Sequence, residues 1–124
     1  MTEMRSSILL VDDEVIVLKS AKRLLEKKGY FVLTAEDGET AMDILREKRM
    51  EIGVILLDLS MPGMDGEEAL ENILEIDPEA KIVLFSGYSR SQELEPLFEK
   101  GALGHIQKPF DINDLIDTIN RYIK

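Results

Sequence analysis

Residues able to handle a phosphoryl group or a hard cation recur just behind the apolar runs of this chain. Asp12, Asp13 and Glu14 follow Ile8-Leu9-Leu10-Val11, and Asp58 follows Gly53-Val54-Ile55-Leu56-Leu57. Ser86 and Gly87 follow Ile82-Val83-Leu84-Phe85, and Lys108 and Pro109 come shortly after the weaker run Leu103-Gly104-His105-Ile106. If these runs are neighbouring strands, the carboxylates of Asp12, Asp13 and Asp58, the Ser86 hydroxyl and the Lys108 ammonium converge on one sheet edge. Clustered carboxylates repel, and a divalent cation relieves the conflict. Oxygen donors without nitrogen or sulfur favour Mg²⁺ over zinc or copper. Lys108 adds a point charge for an anion such as phosphoryl, and Ser86 adds a donor. Asp58 is a candidate nucleophile able to form an acyl phosphate. Any one of these aspartates is equally well a helix cap; the set, at the ends of four different strands, points to a site.

The elements that must position these residues are legible. The first, third and fourth runs are continuously apolar, as in parallel strands covered on both faces. Phe31-Val32-Leu33 forms another strand, and Gly104 and His105 mark the fifth as an edge strand. Between the runs, apolar residues return at helical spacing. Val17, Leu18, Ala21, Leu24 and Leu25 give one face, with Gly29 as its C-terminal stop. Asp37 caps a helix turning Ala41, Ile44 and Leu45 inward, and Asp65 with Glu68 has capping-box spacing ahead of Leu70, Ile73 and Leu74. Asp111 caps the last helix, whose stripe is Ile112, Leu115, Ile116, Ile119, Tyr122 and Ile123. The fourth helix contains Pro96, so a short helix starting around Gln92 to Glu95 is expected, with Leu94, Leu97 and Phe98 inward and Ser91 as a cap. Five β-α units in order imply a parallel sheet with helices on both faces and right-handed crossovers.

Composition bounds the function. The chain has 124 residues, the size of one domain, with 44% hydrophobic and 32% charged residues. A single domain over 1–124 is expected, with its core over about 7–124. The formal charge of −10 gives no general attraction for nucleic acid or anionic membrane. The local basic stripe of Lys19, Lys22, Arg23, Lys27 and Lys28 reads as a solvated helix face. With no cysteine, disulfides and thiol catalysis are excluded, and one histidine, His105, leaves little for zinc. The polar start and the short first apolar run fit neither a signal peptide nor a membrane span, so a cytoplasmic location is the default expectation.

The sequence resembles the receiver domains of bacterial two-component response regulators, over about Ser7 to Lys124. Asp58-Leu59-Ser60-Met61-Pro62-Gly63-Met64-Asp65-Gly66 looks like the family's phosphorylation loop. Lys108-Pro109-Phe110 looks like its lysine-proline motif, and Asp12-Asp13 like its acidic pair. The resemblance implies a flavodoxin-like, doubly wound sheet of five strands in the order 2-1-3-4-5 with five helices. It implies that Asp58 accepts a phosphoryl group from a sensor histidine kinase or a histidine phosphotransfer protein. Asp13, Asp58 and the Ser60 carbonyl would ligate Mg²⁺, with Asp12 acting nearby, through water. Lys108 would bind a phosphoryl oxygen, Ser86 would swing to bond another, and the Lys108–Pro109 bond would be cis. The switch would then act on a downstream protein partner.

The departures are specific. His105 stands where the family usually has Tyr or Phe, three residues before the lysine; Tyr88 follows the switch hydroxyl by two, where it is expected to screen water; Pro96 interrupts the fourth helix. His105 is either a partly exposed edge-strand residue with a pKa around 6.5, or a substitute switch ring that moves inward on activation. Two other functions compete. A small Mg²⁺-dependent aspartyl phosphohydrolase commonly needs a second Asp two residues after the first, where this chain has Ser60. An unphosphorylated interaction module has no use for the whole site.

Overall fold

The computed structural model describes residues 5–61, 63, 65–87 and 91–123, with the backbone alone at 91–93. The strands are β1 (Ser7–Val11), β2 (Phe31–Ala35), β3 (Ile52–Asp58), β4 (Ile82–Ser86) and β5 (Gly104–Gln107). The helices are α1 (Val15–Lys27), α2 (Gly38–Lys48), α3 (Gly66–Ile76), α4 (Ser91–Glu99) and α5 (Ile112–Tyr122). All pairings are parallel, and the strand order is β2-β1-β3-β4-β5. This is the doubly wound, flavodoxin-like arrangement of five strands and five helices.

Every residue of β1, β3 and β4 is buried, as their unbroken apolar runs require, while β2 and β5 form the edges. Alternation along β1 sends Leu9 and Val11 to one face and Ile8 and Leu10 to the other. The first face packs against Ala41 and Leu45 of α2, Leu70 and Ile73 of α3, and Leu94 and Leu97 of α4. The second packs against Leu18, Ala21 and Leu25 of α1 and Leu115 and Ile119 of α5. Each fully buried Leu or Ile contributes roughly 1.5–3 kcal/mol relative to exposure.

Three helix starts follow the sequence reading. Asp37 accepts from Thr40 N at 2.7 Å, Asp111 from Asp114 N at 2.9 Å, and Asp65 from Glu67 N at 2.9 Å. The Thr40 amide holds the Asp37 carboxyl below its ordinary pKa. Gly29 takes φ +96° and lets the chain leave α1.

Some expectations change. Leu24 is exposed rather than part of the α1 seam, because the narrower stripe of Leu18, Ala21 and Leu25 already fills the contact with the sheet. α4 begins at Ser91, ahead of the expected start, and Pro96 lies inside it. The helix tolerates the proline because Leu94 and Leu97 are anchored in the core on either side. Phe98 is 40% exposed instead of inward. A single 3-10 turn over Arg49–Glu51, unforeseen in the sequence, joins α2 to β3.

Candidate functional site

Parallel strands deliver their carboxyl ends to one edge, and the acidic and basic residues gather there. Asp12 follows β1, Asp58 ends β3, Ser86 ends β4, and Lys108 follows β5. Asp12, Asp58 and Ser86 are wholly buried, whereas Asp13 is exposed. Asp12, Asp13 and Asp58 each offer a carboxylate oxygen within 4.8 Å of the others.

Each buried carboxylate is held locally. Asp12 Oδ1 accepts from Glu14 N at 2.9 Å, and Asp58 Oδ1 accepts from Ser60 N at 2.9 Å. Lys108 binds the pair from β5, with Nζ 3.0 Å from Asp12 Oδ2 and 3.4 Å from Asp58 Oδ1. Glu14 Oε1 lies 3.5 Å from the same ammonium at the solvent side. Lys108 N donates to Ser86 O at 2.7 Å, tying the lysine to the end of β4, and the Lys108–Pro109 peptide is cis.

The electrostatics follow from burial. Burial raises the Asp12 pKa above its ordinary value, and the negative charge of Asp58 adds to this. The Glu14 amide and Lys108 oppose it without cancelling it. Burial pulls the Lys108 ammonium down, but its bond to Asp12 and the charges of Asp58 and Asp12 outweigh this and hold its pKa up. One group is left over. Asp58 Oδ2 is buried and has no hydrogen-bond partner among the described residues. A buried carboxylate oxygen without a partner is costly, so this atom marks where an external group belongs. The cleft beside Asp13 is lined by further carboxylates, among them Glu36, Asp65 and Glu68, and its field draws cations toward the cluster.

The structure brings together Asp12, Asp13, Asp58 and Lys108 as the sequence suggests. Ser60 sits exposed in the turn after β3, and its amide holds Asp58. Ser86 lies one strand away, its hydroxyl 3.1 Å from His105 Nε2. His105 is half-buried on the edge strand, and burial keeps its pKa below 6.5. Pro62, Met64 and Tyr88 lie outside the described residues.

Sequence reasoning missed one neighbour. The Lys108 ammonium sits over the Phe85 ring, 4.9 Å from its centroid, and Phe110 packs edge-on against that ring at 6.0 Å. Phe85 precedes Ser86 and Phe110 follows Pro109, so both were visible as flanking residues. Their meeting depends on the β4–β5 register, with Phe85 opposite Ile106, which spacing alone does not fix.

A family model described as the response regulator receiver domain matches residues 8–120. The chain belongs to that family. Among curated relatives of this receiver domain is the sporulation initiation phosphotransferase F of Bacillus subtilis, 33% identical and covering 97% of this chain and 95% of that one. The chemotaxis protein CheY of Treponema pallidum is also 33% identical, over 94% of this chain and 82% of that protein. Among solved structures, a receiver domain protein from Clostridium thermocellum superposes with a TM-score of 0.87 at 31% identity, covering 95% and 94% of the two chains. The CheX-CheY-BeF3-Mg²⁺ complex from Borrelia burgdorferi matches with a TM-score of 0.87 at 30% identity, covering 98% and 92%. No helix among the described residues is long and apolar enough to cross a membrane.

Proposed function

We propose that residues 1–124 form one receiver domain that works as a phosphoacceptor switch in the cytoplasm, with Asp58 as acceptor. The observation that carries this reading is the buried Asp58 carboxylate with Oδ2 unpartnered among the described residues, beside Lys108 and two further carboxylates. An Asp58 oxygen forms a bond to phosphorus as the P–N bond of a donor phosphohistidine breaks, and the freed ring nitrogen keeps the electron pair. Hydrolysis later returns the carboxylate and releases phosphate. Positioning and charge neutralisation supply most of such catalysis.

The residues fit a hard divalent cation, since an all-oxygen cluster ends in an orphaned buried oxygen. Asp13, Asp58 and the Ser60 carbonyl would hold Mg²⁺, with Asp12 nearby; once bound it neutralises charge on the phosphoryl oxygens. Lys108, already drawn to Asp58, binds a phosphoryl oxygen as its charge appears. Ser86, at the end of the adjacent strand, donates its hydroxyl to another. A sensor histidine kinase or a histidine phosphotransfer protein is the donor, and a downstream protein reads the changed face. The phosphotransferase relative and the two-protein complex of another support partners of this kind.

The test uses a small phosphodonor with Mg²⁺ and mass spectrometry of the intact chain. A single stable adduct on the wild type, absent from Asp58→Asn of unchanged circular dichroism, is expected. Full labelling of Asp58→Asn, or multiple turnover without an adduct, overturns the reading.

A further inference from the structure

The Ser86–His105 hydrogen bond joins two side chains on the same sheet face. Ser86 pairs with Gln107 in the β4–β5 register, and His105 lies two residues back along β5. They are therefore diagonal neighbours, and Oγ and Nε2 approach to 3.1 Å. A serine hydroxyl has one proton. If that proton goes to Nε2, it is not available to a phosphoryl oxygen. If Nε2 carries its own proton and donates it to Oγ, the serine proton is directed elsewhere.

We propose that His105 is a positioning residue for Ser86: in the phosphorylated state its Nε2–H donates to Oγ and aims the serine proton at the phosphoryl group. This rests on the reading of Asp58 as phosphoacceptor and Ser86 as its hydroxyl donor. The coupling has a sign. In the free state the neutral ring can bond Ser86 either as acceptor or as donor. In the phosphorylated state the acceptor tautomer faces the serine lone pairs and is lost, whereas the neutral Nε2–H tautomer and the imidazolium, the stronger donor, both still fit. The phosphorylated state therefore favours protonated His105, and by linkage it tightens as the pH falls through the histidine range.

Burial is the one cause lowering the His105 pKa in the free state. Asp114, Asp117 and Arg121 of α5 and Lys108 of its own strand end line the cleft His105 shares, and they are of mixed sign. On α4, Glu95 and Glu99 are exposed, and Tyr122 of α5 directs its hydroxyl to Leu103 O.

The experiment titrates the ring nitrogens of His105 by ¹⁵N NMR in the full chain, with and without beryllofluoride plus Mg²⁺. The expected result is a protonated Nε2 in the mimic-bound form and a pKa raised by about 0.5–1, matching a three- to tenfold tightening of the mimic at low pH relative to high pH. Ser86→Ala should abolish that response. His105→Phe should bind the mimic about three- to tenfold more weakly, and His105→Gln, an amide able to donate, should restore affinity without the histidine step in the pH profile. A pKa that falls or stays put, or identical mimic affinity and pH profiles for wild type and His105→Phe, overturns the proposal. A wild type that neither binds the mimic nor labels at Asp58 is a different failure, which removes the phosphoacceptor reading itself.

Discussion

Lys108 Nζ lies 3.0 Å from Asp12 Oδ2, with the lysine side chain 18% exposed and the carboxylate wholly covered. The two residues are 96 positions apart in the chain. Their pairing clips the end of β5 to the end of β1 across the intervening strands. It also supplies a compensating positive charge for two buried carboxylates, since Asp58 shares the same ammonium.

Removing that ammonium leaves Asp12 and Asp58 facing each other. Breaking a fully buried pair costs about 3–5 kcal/mol. The partial exposure of Lys108 allows water and ions to screen the loss, so Lys108→Ala should cost about 1–2 kcal/mol. Urea unfolding without divalent cations measures this. Some labelling of Asp58 should survive in the variant, but the β4–β5 chemical-shift changes expected on labelling of the wild type should be lost.

The raised Asp12 pKa gives a pH dependence with a definite sign. A carboxyl that holds its proton more tightly in the folded chain favours folding below its unfolded value, near 3.8. That contribution is lost as the pH rises through the folded value. In metal-free buffer the Asp12 component should therefore weaken the fold from about pH 4 upward. Lys108, whose pKa is raised above 10.5, has the same sign at the alkaline end: its stabilisation persists until the pH rises through its folded value. Asp12→Asn should flatten the acidic limb of a stability–pH curve. An unchanged limb would assign it to other carboxylates.

The strands were legible because parallel strands covered on both faces read as unbroken apolar runs, and the site followed because such sheets collect their ligands at the carboxyl ends. Asp12, Asp13, Asp58 and Lys108 needed no knowledge of contacts beyond that rule. Leu24 and Phe98 were harder. Helical period names a face but does not say how wide a stripe the sheet will cover. The Ser86–His105 bond and the Lys108–Phe85 stacking depend on which residues β4 and β5 place opposite one another. Register is not written in either strand alone. The half-buried ion pair of Arg5 with Asp77, at 2.8 Å, was invisible because it joins the segment before β1 to the end of α3.

The packing of the N-terminal approach yields a stability test. A Cβ on Gly53 would stand 2.2 Å from the Arg5 carbonyl oxygen and 2.7 Å from Ile123 Cγ1. The first of these is backbone, which cannot swing aside. Gly53→Ala should force β3 and the segment before β1 apart, at a cost of about 1–3 kcal/mol or more. Thermal unfolding would measure this directly. A melting temperature equal to that of the wild type would mean that the Arg5 segment gives way freely.

Asp13 separates the proposed metal-binding role of the cluster from its structural one. It is the exposed member of the three carboxylates, so its removal should leave the core intact. Without metal, Asp13→Asn should be as stable as the wild type or slightly more so, because one repulsive charge is gone. With Mg²⁺ the order should reverse. Binding to the native state alone stabilises the wild type by about 1–2 kcal/mol at ten times Kd. Asp13→Asn should lose most of that increment, since a hard cation loses a charged oxygen ligand. Paired melting curves with and without 10–20 mM Mg²⁺, roughly the excess needed for a millimolar Kd, give both numbers from one preparation. Equal Mg²⁺ increments in the two proteins would take Asp13 out of the metal site.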